Sequence, residues 1–387
     1  MITLFRQIDA TAARLSLFYA AYFGVTGIML PYWTVWLEGR GLSPIAIGML
    51  LAITFWIKLV AHPLMAGIAD AYAAVRGMTI LLSSLGLLVF IGFAWAEPMW
   101  SYIALAVLAA VTIQTVLPLG ESIAQAEVRT RDLDYGRIRT WGSVAFVAAA
   151  ALGGWALERF GPGIIHPLIL ISLVCVILAA VALPRRAAPA RRRWSWTAVG
   201  KLVLRRQFLL FVAAAGLVQA SHGVYYAFGT IAWRNLGFGE TIIGGLWVLG
   251  VGAEILLFWL AGRLGRFGTA QALLMLGAVG ALIRWPLTAL ADTPWEAAPL
   301  QLLHALTFGA AHLGAMRFLR ETAPEGMEAT AQALYYALVG GVIMGLAMPA
   351  AGWLYARFGL DAYHAMGAFG LIAAGLCLGF RRVEAST

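Results

Sequence analysis

The sequence predicts an all-α membrane protein with twelve transmembrane helices in two pseudo-symmetric six-helix bundles. Three observations support this prediction: an apolar composition, a regular series of long apolar stretches, and an internal repeat. Of the 387 residues, 62% are hydrophobic and 12% are charged, whereas soluble domains carry about 25% charged residues. Because a helical span needs roughly 20 mostly apolar residues, the chain has room for about twelve spans.

Each predicted span is a long apolar stretch that ends at polar or turn-forming residues. Trp and Tyr residues cluster near the ends of these stretches, which is typical of membrane interfaces. The predicted spans are, in order, 16–37, 44–68, 77–96, 100–124, 139–158, 164–183, 208–232, 242–262, 269–291, 298–319, 329–354 and 362–380.

Two motifs recur about half a chain apart. GLSPIAIG at Gly41–Gly48 matches GFGETIIG at Gly237–Gly244, an offset of 196 residues, and GWALERFG at Gly154–Gly161 matches GWLYARFG at Gly352–Gly359, an offset of 198. Nearly constant offsets indicate duplication of a six-helix unit whose copies share one orientation in the membrane. We therefore predict an N-terminal bundle at 1–183, a basic cytoplasmic linker at 184–207 and a C-terminal bundle at 208–387.

The net charge of +9 is distributed unequally between the two sides of the predicted topology. One set of alternate loops carries most of the arginines, including the run at 185–206, whereas the opposite set carries only Arg40, Arg159, Arg234 and Arg357. Basic loops stay in the cytoplasm, so we expect both termini there, in a bacterial inner membrane. The charge indicates topology and contact with membrane lipid rather than nucleic-acid binding.

Glu254 lies near the middle of the apolar stretch Ile242–Ala261. An acidic side chain at the centre of a span costs about 2.5–3.5 kcal/mol on insertion scales, so it is expected to face a partner or a watery cavity. Lys58 follows Gly48 by ten residues, as Glu254 follows Gly244. The two charges therefore occupy equivalent positions in the two halves, and a Lys58–Glu254 pair is one possible arrangement.

Other polar residues inside predicted spans indicate a substrate or proton pathway, although helix–helix packing is the alternative for each. Glu121 and Arg139 share a depth and can form an ion pair. The opposite chain directions of spans 9 and 10 place Arg284 and His304 at a similar depth. Aromatic and imidazole rings that can hold a substrate ring are His222, Tyr225, Tyr226 and Tyr336.

The loop after the second span contains Asp70, at the end of Gly-x-x-Asp, followed by Arg76. This is a loose form of an acidic-plus-basic signature common in carriers, and it suggests a conformational gate. Cys175 and Cys377 lie in different apolar spans without ligands nearby, so neither a metal nor a cofactor is expected. Signatures such as His-Glu-x-x-His, Gly-x-Ser-x-Gly and the phosphate-binding loop do not occur, which argues against an enzyme or a primary pump.

Five stretches distributed in order along the chain resemble the phenylpropionate permease family of the major facilitator superfamily, which is related to the lactose and nucleoside proton symporters. They are LPYWTVWLEGRGLSP (Leu30–Pro44), LDYGRIRTWGSVAFV (Leu133–Val147), LVQASHGVYYAFG (Leu217–Gly229), LGVGAEILLF (Leu249–Phe258) and LLHALTFGAAHLGAMR (Leu302–Arg317). The resemblance implies the major facilitator fold and transport of a small molecule.

By this resemblance, Arg139 and Glu121 are similar to the substrate-binding arginine and glutamate of the sugar permease. Glu254, Arg284 and His304 are similar to its span 8 glutamate, span 9 arginine and span 10 histidine. The permease has a proton-carrying glutamate three residues after that histidine, where this chain has Thr307. Because the usual proton site is absent, Glu254, together with His304, is expected to carry the proton.

The sequence therefore predicts a monomeric, proton-coupled symporter of a small organic anion, such as an aromatic carboxylate, that works by alternating access. Arg139 or Arg284 suits the carboxylate, and aromatic side chains such as Tyr225, Tyr226 and Tyr336 suit the ring. The alternatives are a sugar or nucleoside proton symporter, since Glu121 with Arg139 also suits hydroxyl-rich ligands, and an efflux carrier. A receptor that binds without transport is a further possibility.

Overall fold

A computed structural model describes residues 9–185, 205–263, 268–323 and 327–379, and these ranges are built from helices and short turns. Ten of the described stretches are long and apolar enough to cross a membrane. One of the ten, Thr330–Leu378, contains two helical stretches on either side of a 3₁₀ turn at Gly359–Asp361. The helical stretch 294–322, interrupted at Leu303, is not among the ten. Each of the twelve predicted spans coincides with a helical stretch, so the predicted all-α fold is confirmed.

The helices of the described residues are named in chain order, and two π-helical segments are named separately. They are α1 Ala10–Gly39, α2 Pro44–Ala71, α3 Val75–Gly92, α4 Met99–Arg131, α5 Tyr135–Phe160, α6 Ile165–Ala182, α7 Arg206–Ala220, α8 Gly223–Asn235, α9 Glu240–Arg263, α10 Ala270–Ala289, α11 Pro294–Leu302, π1 Ala305–Ala310, α12 Ala311–Thr322, α13 Glu328–Tyr335, π2 Tyr336–Ile343, α14 Met344–Phe358 and α15 Ala362–Leu378.

These segments are helical because lipid offers no hydrogen-bonding partner to the backbone, so a span must satisfy its own N–H and C=O groups. At the ends of the spans, polar side chains take over that role. Asp134 precedes α5, and its Oδ1 accepts a hydrogen bond from the Arg137 backbone N–H at 3.1 Å. This N-cap fixes the start of α5, and therefore the position of Arg139 in its first turns.

The chain divides into two compact units. Unit 1 comprises Met1–Gly39 and Trp56–Arg192, and unit 2 comprises Arg40–Phe55 and Arg193–Thr387. The first turns of α2 thus group with unit 2. The predicted linker at 184–207 lies almost entirely outside the described residues, and the predicted bundle boundaries stay a prediction.

The internal repeat is visible in the backbone. Gly41 and Gly237, which begin the first repeated motif, both have a φ of +83°. Gly161 and Gly359, which end the second motif, have φ values of +77° and +56°. L side chains rarely adopt this left-handed conformation, so the repeated glycines preserve the same kind of turn in each copy.

Equivalent helices also pack in the same way within each unit. In unit 1, α1 packs against α5 and α6, and α3 packs against α6. In unit 2, α8 packs against α14, α7 against α15, and α10 against α15. These pairings follow the offset of the sequence repeat, and they support the duplication that the two motifs indicated.

Candidate functional site

Glu121, on α4 of unit 1, is held by three hydrogen-bond donors. Tyr19 Oη donates to its Oε2 at 2.5 Å, while Tyr135 Oη and Gln125 Nε2 donate to its Oε1, each at 2.8 Å. Three donors and a half-buried position suit an ionised carboxylate, which only accepts. Among the described residues, the ion pair expected between Glu121 and Arg139 is not formed, and the carboxylate binds Tyr19, Tyr135 and Gln125 instead.

Arg139, on α5, contacts aromatic rings instead. Its guanidinium carbon lies 3.8 Å from the ring centroid of Phe23 and 5.6 Å from that of Tyr19. Such cation–π contacts contribute about 0.5–2 kcal/mol each. In the part of the chain that the structure describes, the N–H groups of Arg139 donate to no protein acceptor. A half-buried guanidinium of this kind can bind the two oxygens of an external carboxylate.

Gly142 makes room for this guanidinium. A Cβ atom at this position would lie 2.8 Å from Arg139 Nη1 and 2.8 Å from Phe23 Cδ2. Any larger residue would therefore displace the arginine or the ring. Sequence reasoning missed Gly142, Phe23 and Tyr19, although the spacing of three residues between Arg139 and Gly142 on one helix was a usable signal.

Lys58 and His62 lie one turn apart on α2 and are both half-buried. The His62 Nε2 atom is buried without a hydrogen-bond partner among the described residues. Lys58 and Glu254 belong to different units, and their pairing stays a prediction.

Arg76 is the second residue of α3, and its Nη2 donates to the backbone oxygen of Val181 near the end of α6. The arginine therefore ties the start of one span to the end of another within unit 1. Asp70, in the last turn of α2, is half-buried, and its backbone oxygen accepts from the Ala73 N–H at 3.2 Å. A gating role for Asp70 and Arg76 stays a prediction.

Arg284, on α10 of unit 2, is completely buried and bound by protein acceptors. Its Nη2 donates to Gln301 Oε1 at 2.9 Å, and its Nη1 donates to Thr307 Oγ1 at 3.0 Å and to His304 Nδ1 at 3.2 Å. Its Nε has no partner among the described residues. Arg284 therefore organises the interior of unit 2, which differs from the role of open carboxylate anchor expected for it.

The hydrogen bonds of this network determine which ring nitrogen carries the proton in His304 and in His222. An arginine can only donate, so His304 Nδ1 is an acceptor and its proton is on Nε2. His222 Nδ1 lies 3.0 Å from the Val218 oxygen, which can only accept, so that nitrogen carries the proton. His222 Nε2, 3.1 Å from Thr307 Oγ1, then accepts from the hydroxyl.

Glu254, on α9, lies next to His304. The distance from His304 Nε2 to Glu254 Oε2 is 3.5 Å, and the side chains are 7% and 18% exposed, respectively. The Nε2 proton of the neutral imidazole is therefore directed at the carboxylate. A continuous polar chain runs from Glu254 through His304, Arg284 and Thr307 to His222. Because Arg284 keeps its proton, only the Glu254–His304 end of this chain can exchange one.

Aromatic rings surround the buried end of this chain. Tyr225 stacks on Trp247 with ring centroids 4.4 Å apart, and the Arg284 guanidinium carbon lies 4.9 Å from the Tyr225 centroid. Tyr226, half-buried, stacks on His222 at 5.2 Å. Tyr225 is thus packed into the protein interior, which leaves Tyr226 as the more accessible of the two predicted ring-binding tyrosines.

Tyr336 lies at the start of π2, is 46% exposed, and has its hydroxyl 3.9 Å from Met316 Sδ. Its predicted role as a ring-binding residue stays a prediction. Sequence reasoning missed Gln301, Thr307 as an acceptor, and Trp247. The polar Gln301 inside an apolar span was the one usable signal, since such residues seldom lack a function in a membrane.

The chain is similar to known proteins along most of its length. The model of the MFS_1 like family matches residues 12–365. The chain is 33% identical to the "Probable 3-phenylpropionic acid transporter" of Escherichia coli (strain K12), covering 91% of this chain and 93% of that protein. It is 28% identical to the maltose permease of Geobacillus stearothermophilus, covering 90% and 89%. The crystal structure of the nucleoside transporter NupG superposes with a TM-score of 0.80 at 15% identity, covering 95% and 98%, and shows the same fold.

Proposed function

This chain belongs to the MFS_1 like family, and on that premise we propose that it is a proton-coupled symporter of a small aromatic carboxylate resembling 3-phenylpropionate. As a major facilitator transporter it is an integral membrane protein, binds a small molecule, and is not an enzyme. The proposal adds the substrate class, the coupling ion, an inner-membrane location with cytoplasmic termini, and transport by alternating access of a monomer.

The proposed substrate class rests on the surroundings of the Arg139 guanidinium. Its guanidinium rests on the Phe23 ring at 3.8 Å and donates to no protein acceptor in the described residues. A carboxylate offers two oxygens that match the planar fork of an arginine. The adjacent Phe23 and Tyr19 rings provide an apolar, aromatic surface for a phenyl group. The name of the 33%-identical relative agrees with this substrate class.

The contact between Glu254 and His304 supports proton coupling. Glu254 is 18% exposed, so it is shielded from bulk water without being sealed from it. His304 is held in one tautomer by Arg284, and its N–H faces the carboxylate. A carboxyl group in such a place can take up and lose a proton, and the neutral imidazole can donate a hydrogen bond to its carboxylate form.

The direct test is uptake into proteoliposomes that contain the purified protein, with and without an inward proton gradient. Radiolabelled 3-phenylpropionate, maltose and uridine are compared at one concentration. We expect a gradient to drive accumulation of 3-phenylpropionate and to leave the other two at the level of empty liposomes. Accumulation of maltose or uridine instead of the acid would contradict the proposed substrate class.

A sugar or nucleoside symporter is the second candidate, and the Glu121 site favours it. A carboxylate surrounded by the hydroxyls of Tyr19 and Tyr135 can exchange these donors for substrate hydroxyls. The maltose permease relative, at 28% identity, fits this alternative. The same uptake panel separates the two candidates, and reversing the proton gradient in the same liposomes separates uptake from efflux.

A further inference from the structure

Three rings form a column in the span 294–322. The Phe308 ring stacks on His304, with centroids 5.4 Å apart and planes inclined by 16°, and also on His312, at 6.0 Å and 3°. The column therefore places an imidazole at each end of a phenyl ring. Because a phenyl ring accepts and donates no proton, the two histidines cannot exchange a proton directly.

The π1 segment explains why residues four apart stay in one column. In an α-helix of 3.6 residues per turn, each step of four residues overshoots a full turn by about 40°. The i→i+5 bonds of a π-helix widen the turn, and Ala305–Ala310 lies between the two histidines. The wider turn brings His304, Phe308 and His312 onto the same face. Short π segments inside helices are frequently found at functional sites.

Glu254 flanks this column from the neighbouring helix α9. It lies 3.5 Å from His304 Nε2, and a Cβ atom on Gly309 would lie 3.7 Å from Glu254 Cγ. One turn after Glu254, the Phe258 ring packs edge-on to His312, with centroids 6.1 Å apart. Glu254 is therefore beside the phenyl spacer, with one histidine before it and the other after it along the span.

We propose that His312 is a proton acceptor for Glu254 and forms the exit of the proton pathway, an inference that rests on the proposed function. In this step the O–H bond of the protonated Glu254 carboxyl breaks and an N–H bond forms at His312. The carboxylate that remains is negative and the imidazolium is positive. His312 then releases the proton to water at the basic end of the span, where Arg317 and Arg320 lie.

The charged and titratable groups around the column explain why the proton moves from Glu254 to His312 rather than to His304. Glu254 reaches it from α9, Arg284 from α10, and His222 from the bend before α8. The arginine contacts His304 directly, and its positive charge opposes a second positive charge on that imidazole. His312 lies two turns farther along the span, one turn beyond Gly309 and against the Phe258 ring, and Arg284 does not contact it within the described residues. His304 thus orients Glu254, while His312 is the better acceptor.

Proteoliposome transport gives the first test. We expect His312→Phe, which keeps a ring in the column, to lower gradient-driven accumulation of radiolabelled 3-phenylpropionate about tenfold for a gradient of one pH unit. Counterflow of the same acid, which needs no net proton movement, is expected to continue. His364→Phe, at an exposed histidine of α15 and therefore outside the stretch 294–322, is the matched control and should accumulate the acid like the wild type. Wild-type accumulation by His312→Phe would overturn the proposal.

A second test needs no substrate. Infrared difference spectra recorded after a pH jump can follow deprotonation of Glu254, because the carboxyl band of this residue is the one that is absent from Glu254→Gln. We expect this band to disappear at least about tenfold more slowly in His312→Phe and in His312→Asn than in the wild type, as is typical when a proton-transfer group is removed. An unchanged rate in either folded variant would overturn the proposal. If the wild type does not transport 3-phenylpropionate, the proposed substrate fails, and the infrared rate still decides the role of His312.

Discussion

His304 Nε2 and Glu254 Oε2 lie 3.5 Å apart, although the two residues are separated by 50 positions in the sequence. Arg284 determines what this contact means chemically. Because it donates to His304 Nδ1, the proton of the imidazole is on the nitrogen that faces the carboxylate. The Glu254 carboxylate, which is costly to place in a membrane, is thus next to the His304 imidazole, whose tautomer is fixed by Arg284.

Replacement of Glu254 by Gln should uncouple transport from the proton gradient. A gradient of one pH unit can drive about tenfold accumulation for each coupled proton. We expect Glu254→Gln to bring 3-phenylpropionate only to equal concentrations on both sides, while exchange stays measurable. Glu321→Gln, at a glutamate paired with Arg317, is the control. Gradient-driven accumulation by Glu254→Gln would remove Glu254 from the mechanism.

Arg139 should determine affinity for the carboxylate. A hydrogen bond to a charged group contributes about 1.5–3 kcal/mol, so Arg139→Leu is expected to raise the KM for 3-phenylpropionate roughly 10- to 100-fold. Arg139→Lys keeps the charge without the planar fork, so its KM should lie between those of the wild type and Arg139→Leu. Arg137→Leu, two residues earlier and exposed, is the matched control. Equal KM values for the Arg139 and Arg137 variants would exclude Arg139 as the anchor.

Thr307 should stabilise unit 2 through its hydroxyl. Thr307→Val keeps the shape but leaves Arg284 Nη1 and His222 Nε2 each without one partner, at a cost of about 1–3 kcal/mol. Thr307→Ser retains the hydroxyl and should cost less. Thermal unfolding of the detergent-solubilised protein measures both. The interpretation would be wrong if valine and serine lowered the Tm equally.

Glu296 should make stability depend on pH near the start of α11, ahead of the predicted span. Its hydrogen bonds with Thr293, and with the backbone N–H groups of Thr293 and Asp292, hold the pKa of this carboxyl below its ordinary value. The folded pKa is the lower one, so its contribution is present above the unfolded pKa and is lost as pH falls through the folded value.

Between about pH 6 and about pH 3, the Tm of the wild type should therefore fall further than that of Glu296→Gln. Glu97→Gln, at an exposed glutamate in the loop before α4, provides the comparison. Parallel Tm curves for the wild type and Glu296→Gln would show that the capping carboxylate does not contribute.

The positions of the spans could be predicted because a membrane imposes a local rule. About 20 consecutive apolar residues cross the hydrocarbon layer wherever they occur in a sequence, and all twelve predicted stretches are helical. The duplication could also be predicted, because the repeated motifs keep Gly41 and Gly237, which adopt the same left-handed turn. The family resemblance agreed with the comparisons for the same reason, because its motifs are local and occur in order.

Side-chain partners could not be predicted in the same way. Glu121 takes its donors from Tyr19, 102 residues earlier, and from Tyr135, 14 residues later, so depth alone suggested Arg139 as its partner. Depth did place Arg284 near His304, but it did not indicate that Gln301 and Thr307 would enclose the guanidinium. The π1 segment, which aligns His304 with His312, has no sequence pattern of its own.

The sequence by itself determined the membrane-spanning class, the repeat and the set of costly polar residues, because each follows from the free energy of placing a residue type in lipid. Only the tertiary structure decided which of those residues are neighbours. It closed Arg284 inside unit 2, left the Arg139 donors without a protein acceptor among the described residues, and set Glu254 beside the column that contains two histidines. Contacts between distant helices depend on how side chains fill space together, and no local stretch of sequence encodes that.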